Sequence, residues 1–371
     1  MDTAETICVN SPPENRLAGV GRVLVSIAGR LGRSWTWLKW PVALGILAWL
    51  YFQNQKALAE IASAPKKWSF AFLAFGLIGG SSLFTFWRWY LLVRAQEFPF
   101  RYVTAVRYGF VGMMMNYVAP GTVGGDLFKA VLLARDQTSR RTVAVATVLL
   151  DRILGLLALF MIGALATLLP HDFPDSPEVQ ANTALLWVGT LGGVIGLGIM
   201  LLPATTSWKW VQRLQNLPLV GRPVSELLSG VKVYQSKPMA VFAALGLSLI
   251  GHAGLITGFY CCAQWVDLLW IPDLTAHFYF MPNAELFGVV SMTPAGIGAL
   301  EYAIKKSYVL MNSGAVTAAE ASAAGFTAAI AFRVVSIALA AIGWGYYITS
   351  RREISAAIEE ASHRPIQGKT V

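Results

Sequence analysis

Charge is scarce in this chain. Only 13% of its 371 residues are Asp, Glu, Lys or Arg, while 56% are apolar. Soluble domains carry about 25% charged residues, so there is too little polar surface here to cover a globule. Cysteine is scarce too: three residues, with Cys8 alone and Cys261 and Cys262 adjacent inside an apolar run. That excludes a disulfide scaffold, and no Cys/His spacing suggests zinc. No Walker-type Gly-rich loop with Lys-Ser/Thr occurs, so a nucleotide is not implied. No apolar stretch of membrane length precedes Trp37, which is too late for a cleavable signal peptide. No cofactor is expected.

What is present is a series of long apolar runs. A helix needs about 20 apolar residues to cross the hydrocarbon, and six segments qualify: 37–54, 68–93, 142–169, 183–203, 239–265 and 321–349. The net charge of +9 does not gather on one face, as a nucleic-acid binder requires, but falls between the runs. It therefore reports topology and contact with anionic headgroups. Arg16, Arg22, Arg30 and Arg33 precede the first span. Arg88, Arg94, Arg101 and Arg107 end or follow the second. Lys209, Arg213, Arg222, Lys232 and Lys237 occupy the 204–238 loop, and Arg351, Arg352, Arg364 and Lys369 follow the last span. The acidic loop His171–Gln180 fits the opposite side. The expected protein is a multi-pass inner (cell) membrane protein with both termini cytoplasmic. Residues 1–36 read as a basic amphipathic helix on the membrane surface or as a poorly ordered basic tail. Residues 37–349 read as one transmembrane domain, and 350–371 as a cytoplasmic tail.

Two further apolar regions are interrupted. Region 106–140 breaks at Ala119–Asp126 (APGTVGGD), and 275–320 breaks at Thr293–Glu301 (TPAGIGALE). By the charge count, the first enters and leaves on the cytoplasmic side and the second on the outer side. Each then reads as a helical hairpin or re-entrant pair, although full crossings joined by tight turns fit as well. Pro120, Gly124 and Asp126 are echoed by Pro294, Gly298 and Glu301. Each break is followed by a span with an arginine near its middle, Arg152 and Arg333. The order of elements thus occurs twice, over 37–169 and 183–349, in opposite orientation. The expected fold is all-α and polytopic, with about six full spans plus two broken hairpins arranged as an inverted repeat, a build common among secondary transporters.

Charges near the bilayer centre cost at least about 2.5–3.5 kcal/mol on insertion scales, so Arg152 and Arg333 need partners. Asp151 adjoins Arg152, but neighbouring helical residues point about 100° apart. The acids at the breaks, Asp126 and Glu301, are the better partners. Two readings stand: ion pairs that staple the bundle, or guanidinium groups that grip a headgroup phosphate bidentately. Pro120, Gly121, Gly124 and Gly125 free the backbone ahead of Asp126, as Pro294, Gly296 and Gly298 do ahead of Glu301. Helix starts at these points can bind an anion. Asn116, Lys129, Glu285 and Asn283 are further polar residues that could line the same cavity. His252 reads as a packed residue. Trp87, Trp89, Tyr90, Trp344 and Tyr347 read as interfacial anchors.

The runs Asn116–Leu133 (NYVAPGTVGGDLFKAVLL), Ala146–Leu159 (ATVLLDRILGLLAL), Ser291–Ala303 (SMTPAGIGALEYA) and Phe332–Trp344 (FRVVSIALAAIGW) together resemble the lysylphosphatidylglycerol synthase transmembrane-region family, also called flippase-like. In that family Glu is common where this chain has Asp126 and Asp151. Asp is a methylene shorter, which moves a contact by roughly 1.5 Å. The resemblance implies a membrane domain handling a phospholipid or a lipid-linked sugar. Long members carry a soluble aminoacyltransferase domain, for which neither the 204–238 loop nor the tail has room, so lysinylation by this chain alone is not expected. The expected function is a lipid translocase. The alternatives are an intramembrane lipid or glycosyl transferase, or a membrane partner of a separate lipid-modifying enzyme.

Overall fold

The computed structural model describes residues 65–118, 124–137, 140–208, 221–291 and 293–349, with a few isolated positions elsewhere. The amphipathic segment, most of the 37–54 span, the Ala119–Val123 part of the first break and the C-terminal tail lie outside the described residues. The described chain is helical, with no strand among those residues. It comprises α1 (Trp68–Ala95), α2 (Tyr102–Val118), α3 (Gly124–Asp136), α4 (Arg141–Ala166), α5 (Pro177–Leu201), α6 (Gly221–Ser236), α7 (Pro238–Trp265), α8 (Leu274–Val290), α9 (Ala299–Met311) and α10 (Ala318–Thr349). Five of these, α1, α4, α5, α7 and α10, are long and apolar enough to cross a membrane. The protein is an all-α multi-pass membrane protein.

Local chemistry sets the helix ends. Ser176 accepts a hydrogen bond from the Val179 N–H at 3.2 Å, with Pro177 at the first helical position, so α5 starts earlier than its apolar run. Asp273 caps α8 through the Ala276 N–H at 2.8 Å. Thr317 and Glu320 exchange hydrogen bonds at the start of α10. The loop 204–238 holds a helix that the charge pattern did not reveal. α6 docks through Tyr234, whose hydroxyl donates to Leu92 O at 3.0 Å.

The elements fall into two matching sets. α1 and α7 are both 28 residues, α2 and α8 both 17, α3 and α9 both 13. α1 and α7 pack antiparallel along their length, and each closes the other's end with the same clasp. Lys67, just before α1, pairs with Asp267, just after α7, at 2.7 Å; Lys237, just before α7, pairs with Glu97, just after α1, at 2.7 Å. Both acids have left-handed backbone, at φ 50° and 65°. Lys237 holds the Glu97 carboxyl below its usual range through a hydrogen bond and its charge. The close approach uses glycine: a side chain at Gly258 would come within 2.6 Å of Ile78. The cross-packing is matched as well, with α4 against α8 and α10 against α2. An antiparallel pair with equivalent elements on either side is an inverted repeat.

α4 and α10 form the buried centre, whereas α5 lies at the periphery, with Leu185, Val188, Leu191, Ile195 and Ile199 on its outer face. Trp89 is 1% exposed, its ring 5.6 Å from the Lys129 ammonium. It is a core residue and not an interfacial anchor, because it turns inward toward the α2–α3 hairpin while its neighbour Trp87 faces outward.

Candidate functional site in the bundle centre

The two hairpins end beside the middles of α4 and α10. Arg152 lies eleven residues into α4, about 16 Å along it, and Arg333 fifteen into α10, about 22 Å. With a hydrocarbon core of about 30 Å, each meets a hairpin tip near mid-depth. Helices of 17 and 13 residues, α2 with α3 and α8 with α9, pair as the arms of two short helical hairpins.

At the first tip, Asp126 sits in the opening turn of α3. One oxygen accepts from Arg152 Nε and the other from Lys129 Nζ at 3.1 Å. Asn116 on α2 accepts from the Gly125 N–H at 2.8 Å, satisfying a helix-start donor across the hairpin. Gly125 is required there: a Cβ would stand 2.2 Å from the Gly112 carbonyl oxygen. Gly124 and Gly125 are both buried at this helix start, while Pro120 and Gly121 fall outside the described residues.

At the second tip, one carboxylate does both jobs. Glu301 Oε2 accepts from the Gly298 N–H at 2.7 Å, and Oε1 accepts from Arg333 Nε at 2.7 Å. Arg333 Nη1 donates to Ala295 O at 2.9 Å. The turn Pro294–Gly296 needs positive φ at Ala295 and Gly296, 49° and 68°, and the start of α9 needs it at Gly298, 83°. Two of those three are glycine, which takes that conformation without strain. Of the two assignments the sequence left open, Arg152 pairs with Asp126 and Arg333 with Glu301.

A third pair lies beside the first. Arg88 on α1 donates from Nε and Nη2 to the two oxygens of Asp151, at 2.6 and 2.8 Å, and from Nη1 to Ser248 on α7 at 2.6 Å. Arg88 is 5% and Asp151 2% exposed. Arg88 is therefore not a marker of the cytoplasmic face, because its guanidinium is buried where α1, α4 and α7 meet. Asp151 stands in the cavity wall, but both its oxygens are taken, and by Arg88 rather than Arg152. The signal that could have found Arg88 was its place two turns inside an apolar helix, too deep for a loop cation.

Between the tips lies a cavity of two lobes, about 250 and 260 Å³. Asn116, Arg152, Glu285 and Ser82 border both. Lys129, Asp126, Asp151, Arg88 and His252 line the first lobe, and Arg333, Tyr117, Ala295, Gly296 and Ser336 the second. Two positions missed by sequence reasoning, Tyr117 and Ser82, thus sit with those it named. Glu301 is 1% exposed and holds Arg333 from behind. Asn283 does not border the cavity; its amide is buried with no partner among the described residues. The arrangement can desolvate and hold an anion between two guanidinium groups, which suits a tetrahedral phosphate. Among the described residues no cluster of His, Cys, Asp and Glu could hold a metal.

No curated protein and no solved structure matches the chain. A family model does, and it covers residues 36–345, which contain both hairpins and the ion pairs of Arg88, Lys129, Arg152 and Arg333. On that match, spanning most of the sequence, the chain belongs to the family described as the lysylphosphatidylglycerol synthase TM region.

Proposed function

We infer that this chain is a translocase for an anionic phospholipid or lipid-linked sugar, the headgroup passing through the central cavity. The observation that carries this reading is the placing of Arg152 and Arg333 on one polar cavity, each beside the tip of a helical hairpin from one half of an inverted repeat. Inverted repeats meeting at a mid-depth site suit exchange of access by rocking one half on the other. The antiparallel α1–α7 pair is the natural pivot, since the two halves meet along it. The chain sits in the inner cell membrane with cytoplasmic termini, and a separate lipid-modifying enzyme supplies its substrate. On this topology Ser176→Cys labels with an impermeant thiol reagent from outside only.

Reconstitution in liposomes tests the reading. Fluorescent phosphatidylglycerol should redistribute between leaflets at a rate proportional to protein, with its chemistry unchanged. Chemical conversion without exchange would make the protein an intramembrane transferase.

A further inference from the structure

Resting on that reading, we propose that Glu285 is the proton-binding site that couples headgroup loading to proton uptake. The geometry begins with which acids are already committed. Asp126 is held by Arg152 and Lys129, Asp151 by Arg88, and Glu301 by Arg333 and the Gly298 N–H. Glu285, on α8, borders both lobes of the cavity and makes no hydrogen bond or ion pair among the described residues. The fields of Arg333 and Arg152 reach it from α10 and α4. The other groups facing the cavity are Lys129 and Asp126 on α3, Asp151 on α4, Arg88 on α1, His252 on α7 and Tyr117 on α2.

The charges then decide the coupling. By formal charge, with histidine counted as neutral, the site holds four cations, Arg88, Lys129, Arg152 and Arg333, against four carboxylates, Asp126, Asp151, Glu301 and Glu285. With Glu285 ionised the empty site is neutral. A phosphodiester brought in then leaves one negative charge uncompensated at mid-membrane, which costs several kcal/mol. A proton on the Glu285 carboxylate restores neutrality. Only this acid can accept it without breaking a salt bridge. The loaded, protonated site and the empty, ionised site are the two electroneutral states, and a lipid that enters with a proton leaves with one. The proton comes from water on the open side and returns to water on the other, with no further reactant.

The test counts protons on the full chain in detergent. Phosphatidylglycerol is titrated by calorimetry in two buffers of different ionisation enthalpy, which yields protons taken up per lipid bound. Wild type should take up about one, and its affinity should fall by about tenfold for each pH unit once Glu285 is ionised. Glu285→Gln should bind lipid with no proton uptake and a flat pH profile, and Glu285→Asp should retain both. Binding by wild type without proton uptake overturns the proposal, even if Glu285→Gln fails to fold. So does a Glu285→Gln variant that takes up the same proton, and so does an absence of binding. Proton-coupled binding without leaflet exchange in liposomes would instead overturn the translocase reading and leave this one standing.

Discussion

The two hairpin tips carry the same chemistry wired differently. At the second, Glu301 caps its helix and holds its arginine with one carboxylate, and Arg333 is enclosed, its side chain 11% exposed. At the first, the tasks are divided. Asn116 caps the helix start, Asp126 holds the arginine, and Lys129 shares the acid. The Arg152 side chain is 35% exposed. Glutamate reaches both its own helix start and a neighbouring helix, whereas aspartate, a methylene shorter, cannot do both. The lesson is that a repeated element can specialise: both guanidinium groups line the cavity, but the second is largely enclosed by its tip while the first is more exposed.

The largest expected effect breaks the second tip. Arg333→Met strands a buried carboxylate and should cost about 3–5 kcal/mol of stability. Arg152→Met leaves Lys129 on Asp126 at a wetter site and should cost only about 1–2 kcal/mol. Thermal unfolding in detergent compares them, and equal losses would mean the tips are equivalent. Next, Gly125→Ala should cost about 1–3 kcal/mol, because its methyl group would collide with the Gly112 carbonyl and push α2 from α3. A smaller change, Asn116→Ala, removes the separate cap and should cost about 1 kcal/mol. The exposed clasps are weakest: Glu97→Gln should leave the melting temperature unmoved, and a clear drop would make the α1–α7 clasps more than surface pairs.

Much of the architecture was legible in the sequence because membranes enforce simple rules. Apolar runs marked α1, α4, α5, α7 and α10. Pro and Gly inside apolar runs marked the hairpins, since backbone freed from a helix must turn from lipid. Arg152 and Arg333 pointed to Asp126 and Glu301 because a deep charge needs a nearby opposite one. Tertiary partnerships hid the rest. Arg88 looked like a topology signal because it stands near the helix end where the loop cations gather, and its pairing with Asp151 crosses 63 positions. Trp89 looked like an interfacial residue for the same reason. The matched clasps of Lys67–Asp267 and Lys237–Glu97 lie in short polar segments, where local sequence carries no sign of which lysine meets which acid. The helix α6 lay hidden in a loop read only for its charge.

The central claim is that Arg152 grips a phosphate in the cavity as well as holding Asp126. Leaflet exchange of fluorescent phosphatidylglycerol by Arg152→Lys tests it most directly. Lysine keeps the charge beside Asp126 but loses the planar fork that a phosphate accepts from two sides. The account predicts a folded, monodisperse variant whose exchange falls by about 30- to 150-fold, the equivalent of about 2–3 kcal/mol for one lost charged hydrogen bond. Exchange at the wild-type rate would contradict it and leave Arg152 as an ion pair that holds the hairpin in place.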